Sequence, residues 1–149
     1  MFRKKVIRMS VDMGKLAQNI SILHRQYYKD TKQDFNQYGL NPTAVCMLLM
    51  IQEYPGSNQQ FLVDKLVIDK SHATREINKL TTLGYITRTS GVGHSSELNL
   101  TAKGEQLIPT IQKIRSDWWT DQFAKTATKP EDPLALTIQT VVTEIVGPA

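Results

Sequence analysis

A single cysteine, Cys46, stands among the 149 residues, so no internal disulfide framework is available and a reducing compartment is the expected setting. Long apolar runs are missing as well. No stretch approaches the roughly 20 apolar residues that a membrane-spanning helix requires. The opening Met-Phe-Arg-Lys-Lys looks like the charged start of an export signal, but Arg8, Asp12 and Lys15 interrupt the apolar stretch that would have to follow. A cytoplasmic protein is expected. His24, His72 and His94 are scattered, without the paired spacing of metal ligands. No glycine-rich loop follows a strand to hold a phosphate, and no nucleophile–base pair or paired carboxylates are placed for catalysis. Neither enzymatic activity nor a bound cofactor or metal is expected. There are no internal repeats and no extended low-complexity tract.

What is present is an ordinary globular composition, 40% hydrophobic and 21% charged, in a chain long enough to bury one sizeable core. The 18 Lys and Arg residues exceed the 14 Asp and Glu residues, a net charge of +4. Much of the excess sits at the front, where Arg3, Lys4, Lys5, Arg8, Lys15, Arg25, Lys29 and Lys32 face only Asp12, Asp30 and Asp34 before residue 35. That distribution permits a polyanionic partner without requiring one. The arm Arg3–Arg8 reads as a solvated tail.

Hydrophobic spacing divides the chain into helices and one hairpin. Met13, Leu16, Ile20, Leu23 and Tyr27 recur at intervals of three and four, one stripe of a helix from about Ser10 to just before Tyr38-Gly39. Asn41-Pro42 is a helix start, and the apolar middle of Thr43–Tyr54 places that helix in the core until Pro55-Gly56 ends it. A short helix over Gln59–Leu66 leads through Val67-Ile68 to Asp69, an N-cap for a second helix reaching Leu83 and stopped by Gly84. Ala73, Ile77 and Leu80 give that second helix its inward face. Short helix, tight connection and second helix with a small inward Ala form a helix-turn-helix pattern. Tyr85–Thr89 and Glu97–Leu100 flank a Gly/Ser-rich loop, a β-hairpin placed as a wing. Thr101 caps a long helix with Leu107, Ile111, Ile114 and Trp118 on one stripe, where Pro109 is expected to introduce a kink. Residues 129–133 form a turn, and a last helix carries Leu134, Ile138, Val141 and Ile145.

The terminal helices pose a problem for a monomer. Residues 39–100 can close a core of their own, whereas the helices of 1–38 and 101–149 carry apolar stripes with no partner inside that module. Packing against one another and across a twofold axis onto a second chain satisfies them; an intrachain bundle is the alternative. The fold class expected is mainly α with a small β-hairpin wing, a winged helix-turn-helix with terminal dimerisation helices.

The ordered set Gly39-Leu40-Asn41-Pro42, Ile68-Asp69-Lys70-Ser71-His72-Ala73-Thr74-Arg75, Leu80-Thr81-Thr82-Leu83-Gly84-Tyr85-Ile86 and Leu100-Thr101-Ala102-Lys103-Gly104 resembles the MarR/SlyA family of winged-helix transcription factors. The last piece is similar to that family's Leu-Thr-x-x-Gly after the wing. The resemblance covers the whole chain in element order. It implies a homodimer formed by the terminal helices, with reading helices in successive major grooves and wings at the flanking minor grooves. Such a dimer reads a pseudo-palindrome whose half-sites lie about one turn, roughly 10 bp, apart.

On the Asp69–Leu83 helix, Ser71, Thr74 and Arg75 are the base-reading candidates, because the N-terminal residues of such a helix meet base edges first. Lys70, His72 and Lys79 suit phosphate contacts, as does Arg88 at the wing base. The wing departs from the family pattern. Its usual acidic and basic tip residues fall here on Val92, Gly93 and His94, of which His94 alone could act on DNA, and weakly when neutral. His24, Tyr27, Tyr28, Met47 and Met50 are candidates to line a small-molecule site, since the family often binds aromatic or amphipathic acids between the dimer helices and the winged module. Cys46 lies on the most apolar helix, away from the oxidant-sensing cysteines of some family members, and reads as buried and inert. The functional expectation is a homodimeric, sequence-specific double-stranded-DNA-binding regulator, a repressor released by an effector. The alternative is a winged-helix interaction module that has lost DNA binding.

Overall fold

In the computed structural model, which describes residues 12–90, 96–126, 128–129 and 132–148, six helices and a two-stranded hairpin follow in order. They are α1 (Met13–Asn36), α2 (Pro42–Glu53), α3 (Gln59–Leu66), α4 (Lys70–Thr82), β1 (Ile86–Ser90), β2 (Ser96–Leu100), α5 (Ala102–Thr126) and α6 (Leu134–Val146). The expected order holds throughout. Helix α1 is capped by Asp12, whose carboxylate accepts the amide of Gly14 at 2.9 Å. The start expected near Ser10 lies outside the described residues.

The core is built where the apolar periodicity pointed. Ala44, Val45, Met47, Leu48 and Ile51 of α2 are fully buried, and Leu62 of α3 and Ala73, Ile77 and Leu80 of α4 close on them. Phe35 and Leu40 cover this cluster from the α1 end, Ile86 and Leu98 from the hairpin, and Ile108 and Ile111 from α5. Each fully buried aliphatic side chain of this kind contributes roughly 1.5–3 kcal/mol. The strands pair antiparallel, with Ile86 opposite Leu100 and Ser90 opposite Ser96. A single bridge from Ser57 to Leu98 adds the segment before α3 to the same ladder.

The passage from α4 through the hairpin into α5 is fixed by backbone contacts. Gly84, at φ +80°, ends α4 in the left-handed region that side chains avoid. The Thr101 hydroxyl donates to the Gly84 carbonyl at 2.6 Å and accepts the Gly104 amide at 3.1 Å, so one side chain starts α5 and holds the end of α4. Lys103 Nζ donates to the Leu83 carbonyl at 2.8 Å. A β-carbon on Gly104 would lie 2.2 Å from the Tyr85 carbonyl oxygen, which itself accepts the Thr101 amide at 3.0 Å. Glycine at 104 is therefore a condition of the close approach.

Helix α5 runs unbroken through Pro109, which lies on its exposed side. The carbonyl that loses its helical donor there is at Glu105, an exposed position where water can replace the missing bond. Helices α1 and α5 pack together, and the Trp118 indole donates to Asp30 Oδ2 at 3.0 Å across the contact. Helix α6 does not complete an intrachain bundle. Its contacts within the chain are chiefly to α3, where Lys65 Nζ donates to the carbonyls of Val146, Gly147 and Pro148 at 2.8–3.2 Å. Among the described residues no helix is long and apolar enough to cross a membrane.

Two outcomes follow. Gly104→Ala should destabilise the fold by about 1–3 kcal/mol or more in urea unfolding, because the obstructing atom is a pinned backbone carbonyl; a neutral substitution would contradict the geometry. Asp30 is held below the ordinary carboxylate range, first by the Trp118 hydrogen bond and then by Gln26. A depressed folded-state value stabilises above the unfolded value and ceases to do so as pH falls through the folded one. The stability gap between wild type and Trp118→Phe should therefore narrow on acidification, and a constant gap would refute the bond's role.

Candidate nucleic-acid interface

The presentation of α4 begins at its connection with α3. Asn58 caps α3 by accepting the Phe61 amide at 2.8 Å. Val67 closes α3 at φ +52°, ψ +53°, the one non-glycine residue with positive φ among those described. A β-branched residue is disfavoured in that region, so the chain accepts local strain to make the turn tight. Ile68 then tucks its amide onto the Val63 carbonyl, and Asp69 starts α4. The Asp69 carboxylate accepts the Ser71 hydroxyl and, at 3.3 Å, the His72 amide. These bonds, that from Ser71 first, hold its carboxyl below the usual range, so it is charged at the positive end of the helix dipole.

With Ala73, Ile77 and Leu80 turned fully inward, the opposite face of α4 is set by helical geometry. Lys70, Ser71, Arg75, Asn78 and Lys79 are exposed on it, and His72 and Thr74 are half-buried at its margins. Thr74 is less free than its margin position implied: its hydroxyl accepts Gln59 Nε2 at 2.8 Å and donates to the Lys70 carbonyl at 3.0 Å. Lys70 and Thr74 share a groove with Asn58, Gln59 and Gln60 at the start of α3 and with Arg88 and Ser96 of the hairpin. The structure thus brings together two predicted phosphate contacts from distant parts of the chain, Lys70 and Arg88. Gln59, Gln60, Asn58 and Ser96 were missed by sequence reasoning. Polar side chains at a helix start are a signal for capping, and nothing local marks them as facing the hairpin.

Glu76 was also missed. It is 8% exposed, although it lies on α4 one residue after Arg75. Asn41 explains it. The Asn41 side chain caps α2 through Oδ1, accepting the Ala44 amide at 2.8 Å, while Nδ2 donates to Glu76 Oε1 at 2.9 Å. His72, one turn earlier, brings Nε2 to 3.7 Å from the same oxygen. Helix α4 is thereby tied to the start of α2 by a polar contact spanning 35 positions of sequence. Arg88 is exposed on β1. His94, with Val92 and Gly93, lies outside the described residues, as does the basic arm Arg3–Arg8.

The five candidates for a small-molecule site are only partly gathered. His24 and Tyr28 stack at 4.3 Å between ring centres, and the Tyr28 hydroxyl meets Thr43 Oγ1 at 3.0 Å. Tyr27 lies edge-on to Trp118 at 5.3 Å. Burial pushes the Tyr27 phenol up to about 12, against the opposing pull of Arg115. Met47 is fully buried in the core, and Met50 packs against it half-buried. Met47 is thus a packing residue, whereas Tyr27 and Tyr28 line the contact between α1 and its neighbours and His24 lies exposed against Tyr28. Cys46 is partly buried, and burial raises its thiol above the ordinary value. Among the described residues no three His, Cys, Asp or Glu side chains gather as metal ligands.

Comparison with known proteins agrees with this architecture. A family model described as MarR family matches residues 38–95. No curated protein matches the sequence. Among solved structures, a MarR transcriptional regulator from Methanosarcina mazei Go1 is 29% identical, with a TM-score of 0.75 over 89% of this chain and 92% of that one. A structure of MarR is 26% identical, with a TM-score of 0.76 over 87% of this chain and 95% of that one. A MarR-family regulator from Listeria monocytogenes, complexed with a 26mer DNA, is 27% identical, with a TM-score of 0.73 over 87% and 88% of the two chains. Residues 38–95 thus match the MarR family model, and the described chain has the winged helix-turn-helix fold of the MarR/SlyA transcriptional regulators.

Proposed function

We propose that this protein is a homodimeric transcriptional regulator, acting as a repressor, that binds a pseudo-palindromic double-stranded DNA site through α4. The observation that carries the reading is the face of α4. Ser71, Arg75 and Lys79 stand one turn apart and exposed, directly opposite a fully buried Ala73, Ile77 and Leu80. Arg75 has the fork geometry to pair with guanine O6 and N7, Ser71 lies one turn nearer the helix start, and Thr74 immediately precedes Arg75. Lys70, Lys79 and Arg88 supply the phosphate contacts, which fix register without reading sequence. His72 stands at the edge of the same face. The relative from Listeria solved with DNA supports this use of the fold.

Dimerisation is supported by apolar surface left exposed among the described residues. On α1, Met13, Leu16, Ile20, Ile22 and Leu23 are exposed, and on α6 so are Leu134, Leu136, Ile138, Val141, Val142 and Ile145. Exposed apolar stripes on the first half of α1 and along α6 are what a second copy covers in a symmetric dimer. An aromatic or amphipathic acid is the effector class for this reading, received where His24, Tyr27 and Tyr28 meet the winged module; Met50 lies half-buried beside it.

Binding to the DNA upstream of the protein's own gene, measured by anisotropy across a salt series, should give a steep negative log–log slope; a flat one would overturn the reading. Within it, Arg75→Ala should cost about 1–3 kcal/mol and relax discrimination at one base position. Lys79→Ala should instead weaken all sequences alike and reduce the slope by about one. The dimer has its own test: Ile138→Glu with Val141→Glu should sediment as a monomer and lose operator affinity, and an intact dimer would contradict the assigned surface.

A further inference from the structure

The end of α6 is gathered onto one side chain of α3. Lys65 Nζ donates to the carbonyls of Val146 at 2.9 Å, Gly147 at 3.2 Å and Pro148 at 2.8 Å. Three acceptors match the three protons of an ammonium. Carbonyls at a helix C-terminus carry the negative end of the dipole, and α6 has no basic residue of its own in its last turn. Lys65 supplies that cation from another element, half-buried, with Nζ 5.9 Å from the centre of the Phe61 ring. Gly147 turns the carbonyls toward it at φ +77°, ψ +165°, a conformation essentially closed to other residues.

This contact occupies a particular place in the molecule. Among the described residues, no other hydrogen bond joins α6 or its C-terminal turn to another helix or strand. On one side of it, α6 exposes Leu134, Ile138, Val141 and Ile145, the surface assigned above to a second copy. On the other side, α3 packs on α4, and Gln59 Nε2 donates to Thr74 Oγ1 at 2.8 Å between them. The series α6, α3, α4 therefore runs from the dimer surface to the face that meets DNA, with Lys65 at its first junction.

We propose that Lys65 is a positioning residue for DNA recognition: by fastening the end of α6 to α3, it fixes how far α4 stands from the twofold axis. A dimer can discriminate half-site spacing only when its two reading helices cannot follow a displaced half-site. With the ammonium in place, α3 and α4 move with α6 as one body. Without it, the winged module gains freedom relative to α6, and the two copies of α4 can adapt to more than one separation. Lys65 thus acts on the spacing that the protein accepts while touching no DNA.

The inference rests on the proposed roles of α4 in DNA binding and of α6 in dimerisation, and the test separates it from them. One nitroxide label at the exposed Asn78, introduced as Asn78→Cys with Cys46→Ala in the full chain, reports the distance between the two copies of α4. Lys65→Met keeps an apolar stem against Phe61 and removes the ammonium. Dipolar spectroscopy should give one narrow distance distribution with Lys65 and a clearly broader one with Lys65→Met, both sedimenting as dimers. Affinity is then measured for the upstream DNA with one base pair inserted at the centre of its footprint, which displaces one half-site by roughly 3.4 Å and turns it by roughly 35°. The chain with Lys65 should lose about tenfold in affinity on insertion, and Lys65→Met less than about threefold. A contact that only adds stability would lower the unfolding temperature and leave both readouts unchanged, and that result overturns the inference. So does a broad distribution in the chain with Lys65. If Lys65→Met fails to fold, Gly147→Ala carries the same expectation from the α6 side and decides the matter. A dimer that binds the upstream DNA with unaltered spacing selectivity in the variant removes this inference and leaves the functional reading intact. A monomer, or no salt-dependent DNA binding, in the chain with Lys65 removes both.

Discussion

The carbonyl of Tyr85 accepts the Thr101 amide at 3.0 Å and occupies the space into which a side chain at Gly104 would project. Around that close approach, the Thr101 hydroxyl joins the start of α5 to the end of α4, and Lys103 reaches the last turn of α4. Both ends of the hairpin are therefore locked to the two helices it separates. The orientation of α4 relative to β1, and of α5 relative to both, follows from backbone geometry at this junction before any side chain packs. The wing cannot tilt alone without breaking bonds that also cap α5. That rigidity allows a face made of short and flexible side chains to be presented in a fixed register.

A second constraint acts at the other end of α4. The strained left-handed Val67 and the Asp69 cap set where the helix begins, and the Asn41–Glu76 bond ties its middle to α2. The helix is thus held at its start, its middle and its end by three different parts of the chain, while Arg75, Asn78 and Lys79 stand exposed on its outer face. Burial and exposure are divided along the molecule in the same manner. Phe35 of α1 and Ile108 and Ile111 of α5 complete the core of the winged module, whereas the first half of α1 and the length of α6 carry large apolar side chains exposed. Their exposure is the physical content of the dimer proposal. The Lys65 latch onto the carbonyls of Val146, Gly147 and Pro148 ties the end of α6 to α3.

Much of this was legible in the sequence because it is local. Asn41-Pro42 and Asp69 announce helix starts through capping chemistry, and the spacing of Ala73, Ile77 and Leu80 fixes which side of α4 is buried. The order of elements and the hairpin's place follow from the same signals. What was not legible depends on partners far apart along the chain. Glu76 sits among polar residues of an amphipathic helix, and only Asn41, 35 positions away, shows that it is inward. The Gln59–Thr74 bond and the Lys65 latch are tertiary pairings with no local signature. Met47 was placed near a ligand space because methionine suits both cores and adaptable sites; the packing of α2 decides for the core. Pro109 lies within a helix that continues, since its exposed position lets water serve the freed carbonyl.

The central claim is that two copies of α4, related by a twofold axis, enter successive major grooves of one DNA site. Hydroxyl-radical footprinting of the full chain on its own upstream DNA addresses it directly. The account predicts two protected segments of equal size, related by a dyad and centred about one helical turn, roughly 10 bp, apart. A single unsymmetrical footprint, or protection that appears at no defined sequence, would contradict it.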